Sequence, residues 1–301
     1  MKAQVVLTSV ESKSLIAKAV VKMEEIQKAL QNGLIVIHPS SSTFFVMEEL
    51  TGERPDKSLW MCGVIRPKGL CISKEMVDIQ RISSGKPRDP GNANYYWVIK
   101  NGSQENKSKN ITLYDLLKQM GPEDVYIKGC NAIDIEGNAA ILFASKGAGT
   151  IGKVLQEQRK KKFKIILPVG LEKLIPISCM QAAKAASREG NVFSTGQSCG
   201  VLPVRGKTIT EIDAINILFG ITATPIAAGG LNGAEGAVVL ALSGEGARIQ
   251  EAVSLVINLK RKGPSLPDII YPKCLDCPNE RCHYYGRKDT YLNYRFGNPG
   301  N

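Results

Sequence analysis

The 301-residue chain has no apolar run near the roughly 18 residues of a membrane span, since Ala139-Ala-Ile-Leu-Phe-Ala144 stops after six. Met1 to Thr8 holds one lysine but no long apolar segment or small-residue cleavage pattern. No secretory signal is therefore expected, and the expected compartment is cytoplasmic. With 29 Gly and 15 Pro the chain is neither collagenous nor of low complexity. No internal repeat at a fixed period is visible. The eight cysteines are not expected to form a disulfide framework in a reducing compartment. What is abundant is positive charge: 39 Lys and Arg against 28 Asp and Glu give +11, which favours anionic partners.

Hydrophobic periodicity orders the first half of the chain. A strand at Gln4 to Thr8 is followed by a helix from about Ser14, with Leu15, Ala19, Met23, Ile26 and Leu30 on one face and Gly33 at its end. The buried-type strand Leu34 to His38 leads through Pro39 and the hydroxyl run Ser40, Ser41, Ser42, Thr43 into a helix from Phe44 to Leu50. Residues 53–110 carry four prolines and read as an excursion of short strands and loops. Beyond it, Thr112 with Asp115 starts a helix that Gly121-Pro122 stops. Strands Asp124 to Lys128, Ala139 to Ala144 and Lys164 to Val169 then alternate with helix, the pattern of a parallel sheet. After Val192, strands Gly200 to Val204 and Gly236 to Leu242 and helices Glu211 to Phe219 and Glu245 to Leu259 read as a compact α+β unit.

Lys146-Gly147-Ala-Gly149-Thr150-Ile-Gly152-Lys153 follows a strand and opens a helix, where backbone N–H groups can hold a phosphate or carboxylate. As a Walker A loop it fails at Val154, where Ser or Thr would ligate magnesium. As a dinucleotide fingerprint it is followed by a helix, a strand and Glu172 at the place of a ribose-binding acid.

A third reading takes in the upstream residues. The strand from Asp124 into Lys128-Gly129-Cys130-Asn131-Ala-Ile-Asp134, then Lys146-Gly-Ala-Gly149, resembles the ribose-5-phosphate isomerase pattern of a strand into Asp-Gly-Ala-Asp-Glu followed by Lys-Gly-Gly-Gly. Ser40 to Thr43 stands where that family has its Gly-Thr-Gly-Ser-Thr phosphate turn, and the unit after Val192 resembles its extra domain. The resemblance is to the wider superfamily of sugar-phosphate isomerases, sugar-sensing repressor domains and coenzyme A transferases. It implies a phosphate-type ligand held between Ser40–Thr43 and Gly147–Lys153. It does not carry isomerase chemistry: Lys128 and Asn131 replace the two motif aspartates, and the base after the glycine loop falls near Leu155. A transferase glutamate has no matched position, although Glu48, Glu49 and Glu172 are available. Lys128 and Lys146 make the cleft more positive, which suits binding an anion. Asp134 and Glu136 read as turn formers, and His38 as either a structural or an acid–base histidine.

Cys274-Leu-Asp-Cys277 has the C-x₂-C spacing that lets two thiolates reach one ion, and Cys282 and His283 follow. Zinc or an iron–sulfur cluster suits these ligands, with reduced structural thiols or a redox pair as the alternatives. Cys282 and His283 are adjacent, so both binding one ion is strained, and a fourth ligand from elsewhere is allowed for. The run Arg159 to Lys162 reads as a solvated helix end. Lys260 to Lys262 with Arg281, Arg287, Tyr284, Tyr285, Tyr291 and Tyr294 could form a basic, aromatic face for nucleic acid.

The sequence therefore predicts an α/β protein: a Rossmann-like parallel sheet flanked by helices over 1–192, a smaller ferredoxin-like α+β domain over 193–263, and a cysteine-containing tail over 264–301. Its expected function is to bind a small phosphorylated or coenzyme A-type anion, as a divergent enzyme or a ligand sensor, without a membrane and as a homo-oligomer. The alternatives are an NAD-dependent oxidoreductase and a nucleic-acid-binding module.

Overall fold

The computed structural model describes residues 1–55, 62–74, 96–105, 112–277 and 282–286. Its centre is a six-stranded mixed sheet flanked by helices. β2 (Leu34–Ile37), β7 (Val125–Ile127), β10 (Lys164–Pro168) and β12 (Lys207–Ile209) run parallel, in the order β12, β10, β7, β2. β5 (Trp97–Lys100) and β6 (Ser103–Gln104) extend the β2 edge antiparallel, so the sheet is mixed where an all-parallel one was expected. Three of its strands come from runs of apolar residues, and their side chains divide by parity. Ile35, Ile37, Val125, Ile127 and Ile166 enter one core; Leu34, Val36, Tyr126, Ile165 and Leu167 enter the other.

Helices cover both faces. α1 (Ser9–Lys22), α2 (Glu24–Asn32) and α3 (Ser41–Thr51) bury apolar residues in the first core. α4 (Leu113–Gln119) and α5 (Gly149–Lys161) bury theirs in the second. Where the periodicity predicts one helix from Ser14 to Leu30, there are two. Met23 is extended (φ −63°, ψ 141°) and serves as the end of α1 and the start of α2. α1 also begins earlier than expected, because Thr8 and Glu11 form a capping box. Gly33 ends α2 with an extended backbone rather than a left-handed one (φ −132°, ψ −172°), and a Cβ there would lie 3.0 Å from Asp124 Oδ1.

A second sheet places β14 (Ala237–Ser243) between β1 (Lys2–Leu7) and β13 (Thr222–Gly229), all antiparallel. Together with α7 (Glu211–Phe219) and α8 (Gly246–Lys262) it shares the first core, where Leu7, Leu240 and Val256 join Ile37 and Ile127. Strand pairing crosses the 192/193 boundary in both directions: β1 pairs with β14, and β12 joins the parallel sheet beside β10. A third sheet joins β11 (Gly200–Val204), β9 (Ala139–Phe143) and β8 (Ala132–Ile133), and β3 (Cys62–Arg66) pairs with β4 (Gly69–Ile72). α6 (Cys179–Ala185) opens on a Ser178 capping box. Among the described residues no helix is long and apolar enough to cross a membrane.

Candidate anion-binding crevice

Ligands of open α/β sheets bind outside the carboxyl ends of the parallel strands, and the polar segments of this chain gather there. After β2, the backbone N–H of His38 still pairs with Ile127 O (2.9 Å), and the chain then turns into α3. Ser40 is the N-cap: its Oγ accepts from Thr43 N–H (3.3 Å) and lies 2.9 Å from Thr43 Oγ1, which donates to His38 O (2.6 Å). Ser42, two residues into the helix, is only 2 % exposed, and its Oγ has no hydrogen-bond partner. A buried hydroxyl left unpaired costs about 1–3 kcal/mol, and here it lies at the positive end of a helix.

The turn after β7 packs against this one. A Cβ on Gly129 would fall 2.7 Å from Ser40 Oγ and 3.7 Å from Ser42 Cβ, so only glycine lets the two turns meet. Lys128 precedes it, with its backbone N–H on Ile166 O (3.1 Å). His38 is buried beneath: its Nδ1 lies 3.4 Å from Tyr126 Oη, and Tyr96 packs edge-on at 5.3 Å. Burial, reinforced by the Lys128 charge, holds its imidazole well below the usual histidine range, so it is neutral at pH 7. Burial likewise raises the Tyr126 hydroxyl well above its ordinary value, with Tyr96 adding to it.

A charge cluster after β10 and β12 completes this end of the sheet, and sequence reasoning missed most of it. Lys13 of α1 is buried and donates to Glu172 Oε1 (2.7 Å) and Ser9 O (2.9 Å). Glu172 Oε2 is buried without a hydrogen-bond partner and crowds Gly170, where a Cβ would lie 1.8 Å away. Glu211, fully buried, accepts from Leu171 N–H (2.9 Å), and burial raises its carboxyl above the usual range. Burial lowers the Lys173 ammonium, against the pull of Glu172. Burial pushes the Cys130 thiol up to about 12, although Lys173 and Lys128 both act on it in the opposite sense, which puts both lysines around this strand end. The available signal was a run of charged residues at the ends of buried strands, Glu172-Lys173 and Glu211.

The glycine loop lies elsewhere. α5 buries Ile151 and Val154 in the second core, on the sheet face opposite α3. It runs directly into β10, so its N-terminus points towards the same end of the sheet. Gly147, Ala148 and Gly149 are left-handed (φ 66°, 59° and 54°), and a Cβ on Gly152 would lie 2.2 Å from Gly147 O. Gly152 thus makes room for the loop's own backbone. Lys146 is exposed, Thr150 is half-buried, and the Lys153 ammonium stands 4.1 Å over the Tyr114 ring. Asn131 Oδ1 accepts from Leu142 N–H (3.1 Å), a bond between neighbouring segments. β9, which precedes the loop, pairs antiparallel with β8 and β11 outside the parallel sheet. The strand before the loop is therefore not one of the parallel strands a dinucleotide fingerprint follows, and the Glu172 Oε1 that would meet a ribose is held by Lys13.

Asp134 is a turn former: its carboxylate accepts from Glu136, Asn138 and Cys179 N–H (3.1, 2.9 and 3.0 Å). Burial acts to raise its pKa, and these hydrogen bonds outweigh it, so the carboxyl lies below its ordinary value. The Arg159 to Lys161 run closes α5 as expected. Of the basic, aromatic face, Arg281, Arg287, Tyr291 and Tyr294 lie outside the described residues. Tyr284 is buried, Tyr285 is exposed, and Lys260 pairs with Glu11 (3.0 Å) while its side chain stays exposed. His283 packs on Phe193 at 4.7 Å.

No family model, curated protein or solved structure matches the chain.

Proposed function

We propose that this protein binds a small anionic ligand, phosphorylated or of coenzyme A type, at the carboxyl ends of β2, β7 and β10. The observation that carries this reading is Ser42: a buried, unpartnered hydroxyl in the first turn of α3, beside the Ser40–Gly129 contact. A ligand oxygen there would accept from that hydroxyl and from first-turn N–H groups while facing a positive helix end. Lys128 and Lys173 supply cationic charge at the neighbouring strand ends. The resemblance of Ser40–Thr43 to a phosphate turn, and a Rossmann-like reading of the six-stranded sheet with a ferredoxin-like reading of the second, agree with it. In this reading the α5 loop from Lys146 to Lys153 approaches the crevice from the opposite face.

Binding is favoured over isomerisation because the positions that would hold the acid–base carboxylates are Lys128, Asn131 and Leu155. The test is a thermal-shift screen of the full chain against phosphorylated sugars, acyl-coenzyme A, NADH and a nucleic-acid duplex. A concentration-dependent rise in Tm with phosphosugar or acyl-coenzyme A supports the reading. A rise with NADH alone, or with nucleic acid alone and steeply lost in salt, overturns it.

A further inference from the structure

The β3–β4 hairpin and the C-terminal segment enclose a cavity of about 130 Å³ that shares no lining residue with the anion crevice. Backbone bonds fix its frame. Leu70 N–H donates to Thr195 O (3.1 Å) and Gln197 N–H to Leu70 O (2.7 Å), while Lys74 N–H donates to Ile270 O (2.7 Å) and Gly286 N–H to Cys274 O (3.1 Å). The approach of β4 to residues 195–196 requires glycine, since a Cβ on Gly69 would lie 2.0 Å from Thr195 O. The walls are therefore positioned by strand and turn. Tyr271 and Tyr284 supply ring surface to them, and Cys71, Cys274, Cys277 and Cys282 supply sulfur. Among the described residues no group of three or more His, Cys, Asp or Glu could hold a metal ion, so these thiols act as small apolar side chains.

The charge around this apolar space has one sign. Arg66, Lys68 and Lys273 line it, and among the described residues no aspartate or glutamate does. Arg66 and Lys68 are half-buried, and no acid of the lining neutralises them. Partly buried cations without a counter-ion are stabilised when an anion joins them. Arg66 Cζ stands 3.5 Å from the centre of the Tyr271 ring. A guanidinium at that distance lies on the ring face, which leaves its N–H edge to fork onto a carboxylate. Burial raises the Cys71 thiol and the Tyr271 hydroxyl, and the Arg66 charge opposes both, so that charge reaches the cavity wall.

Size and charge together select the ligand. An apolar cavity of about 150 Å³ takes up one benzene, so the space here matches a single aromatic ring. Tyrosine rings favour such a guest as an offset or edge-to-face neighbour. We propose that the cavity binds a small aromatic carboxylate, with its ring among Tyr271, Tyr284 and the cysteine sulfurs and its carboxylate on Arg66. Lys68 and Lys273 add positive charge beside that carboxylate. This site is independent of the anion crevice, which is built from other residues at the carboxyl ends of the parallel strands.

The experiment is calorimetric titration of the full chain with benzoate, and with benzamide as its uncharged counterpart. The expected result is saturable benzoate binding with a Kd of about 1 mM or tighter, and benzamide weaker by about tenfold or more. Arg66→Gln is expected to weaken benzoate binding by about 10- to 100-fold. Lys100→Gln, which removes an exposed charge on β5, is expected to leave it unchanged. Far-UV circular dichroism identifies a variant that fails to fold. Alkylation of the parent chain covers that case: benzoate is expected to slow labelling of Cys71 and to leave Cys199, a cysteine outside the cavity, at its ligand-free rate. Weaker or no benzoate binding in the parent, equal binding of benzamide, full affinity in folded Arg66→Gln, or Cys71 labelling that benzoate does not slow would each overturn the proposal.

Discussion

Ser40 Oγ lies 2.7 Å from the point where a Cβ on Gly129 would stand, so the turn after β2 and the turn after β7 are fitted to each other at one position. Gly129→Ala must push the Ser40 hydroxyl off its cap. It is expected to destabilise by about 1–3 kcal/mol, the usual cost of overpacking. Gly121→Ala is the control, since a Cβ there meets nothing within 4 Å and its stability should hold or rise slightly. Urea denaturation of the two variants measures the difference.

Ser40 and Ser42 make opposite predictions although they are two residues apart. Ser40→Ala loses the cap on Thr43 N–H and should cost about 0.5–2 kcal/mol. Ser42→Ala removes a buried hydroxyl that bonds to nothing, so ligand-free stability should stay level or increase. Equal losses in both variants would mean that Ser42 is held by contacts of the folded chain itself.

Lys13 and Glu172 form the buried ion pair beneath this end of the sheet, with side chains 8 % and 12 % exposed. Lys13→Met leaves Glu172 with only the more distant Lys173 ammonium (4.0 Å) and should cost at most the ~3–5 kcal/mol of a broken buried pair. The double variant Lys13→Met/Glu172→Gln should recover much of that loss, and a denaturation double-mutant cycle reads the coupling.

His38 gives the fold an acid-sensitive limb. Its folded pKa lies below the unfolded value of about 6.5, so below that pH the unfolded chain takes up a proton that the folded chain refuses. The stability it confers is complete above about pH 6.5 and declines as the pH falls towards the folded pKa, by up to about 1.4 kcal/mol per pH unit. The chain holds one other histidine, His283. Urea midpoints between pH 7 and pH 5 should fall in the parent and in His283→Gln, and the slope should flatten in His38→Gln.

The central strands were legible because burial on both faces demands continuous apolar runs such as Leu34–Ile37 and Ile165–Leu167. The first capping box was legible in principle, as Thr8 and Glu11 stand three apart, but the stripe beginning at Leu15 masked it. The pairing of β1 with β14 could not be read locally, because the partners are more than 200 residues apart and each has an ordinary alternating pattern. The sequence places the anion between the hydroxyl turn and the glycine loop, with Lys128 beside them, whereas the contact the structure forms with Ser40 is made by Gly129. The glycine loop reads as a site from its place after a strand and before a helix, whereas that strand belongs to another sheet and the loop's backbone is folded onto Gly152. Lys13, Lys173 and Glu211 escaped notice because buried charges are recognisable only by their partners.

The measurement that bears most directly on the anion crevice is thermal unfolding of the parent and Ser42→Ala across low-millimolar inorganic phosphate at constant ionic strength. Specific binding stabilises in proportion to the logarithm of ligand above Kd, about 2.7 kcal/mol at a hundredfold excess. The account predicts a Tm that climbs with phosphate in the parent and stays nearly flat in Ser42→Ala, although that variant is at least as stable without ligand. The same climb in both proteins, or none in the parent, would contradict it.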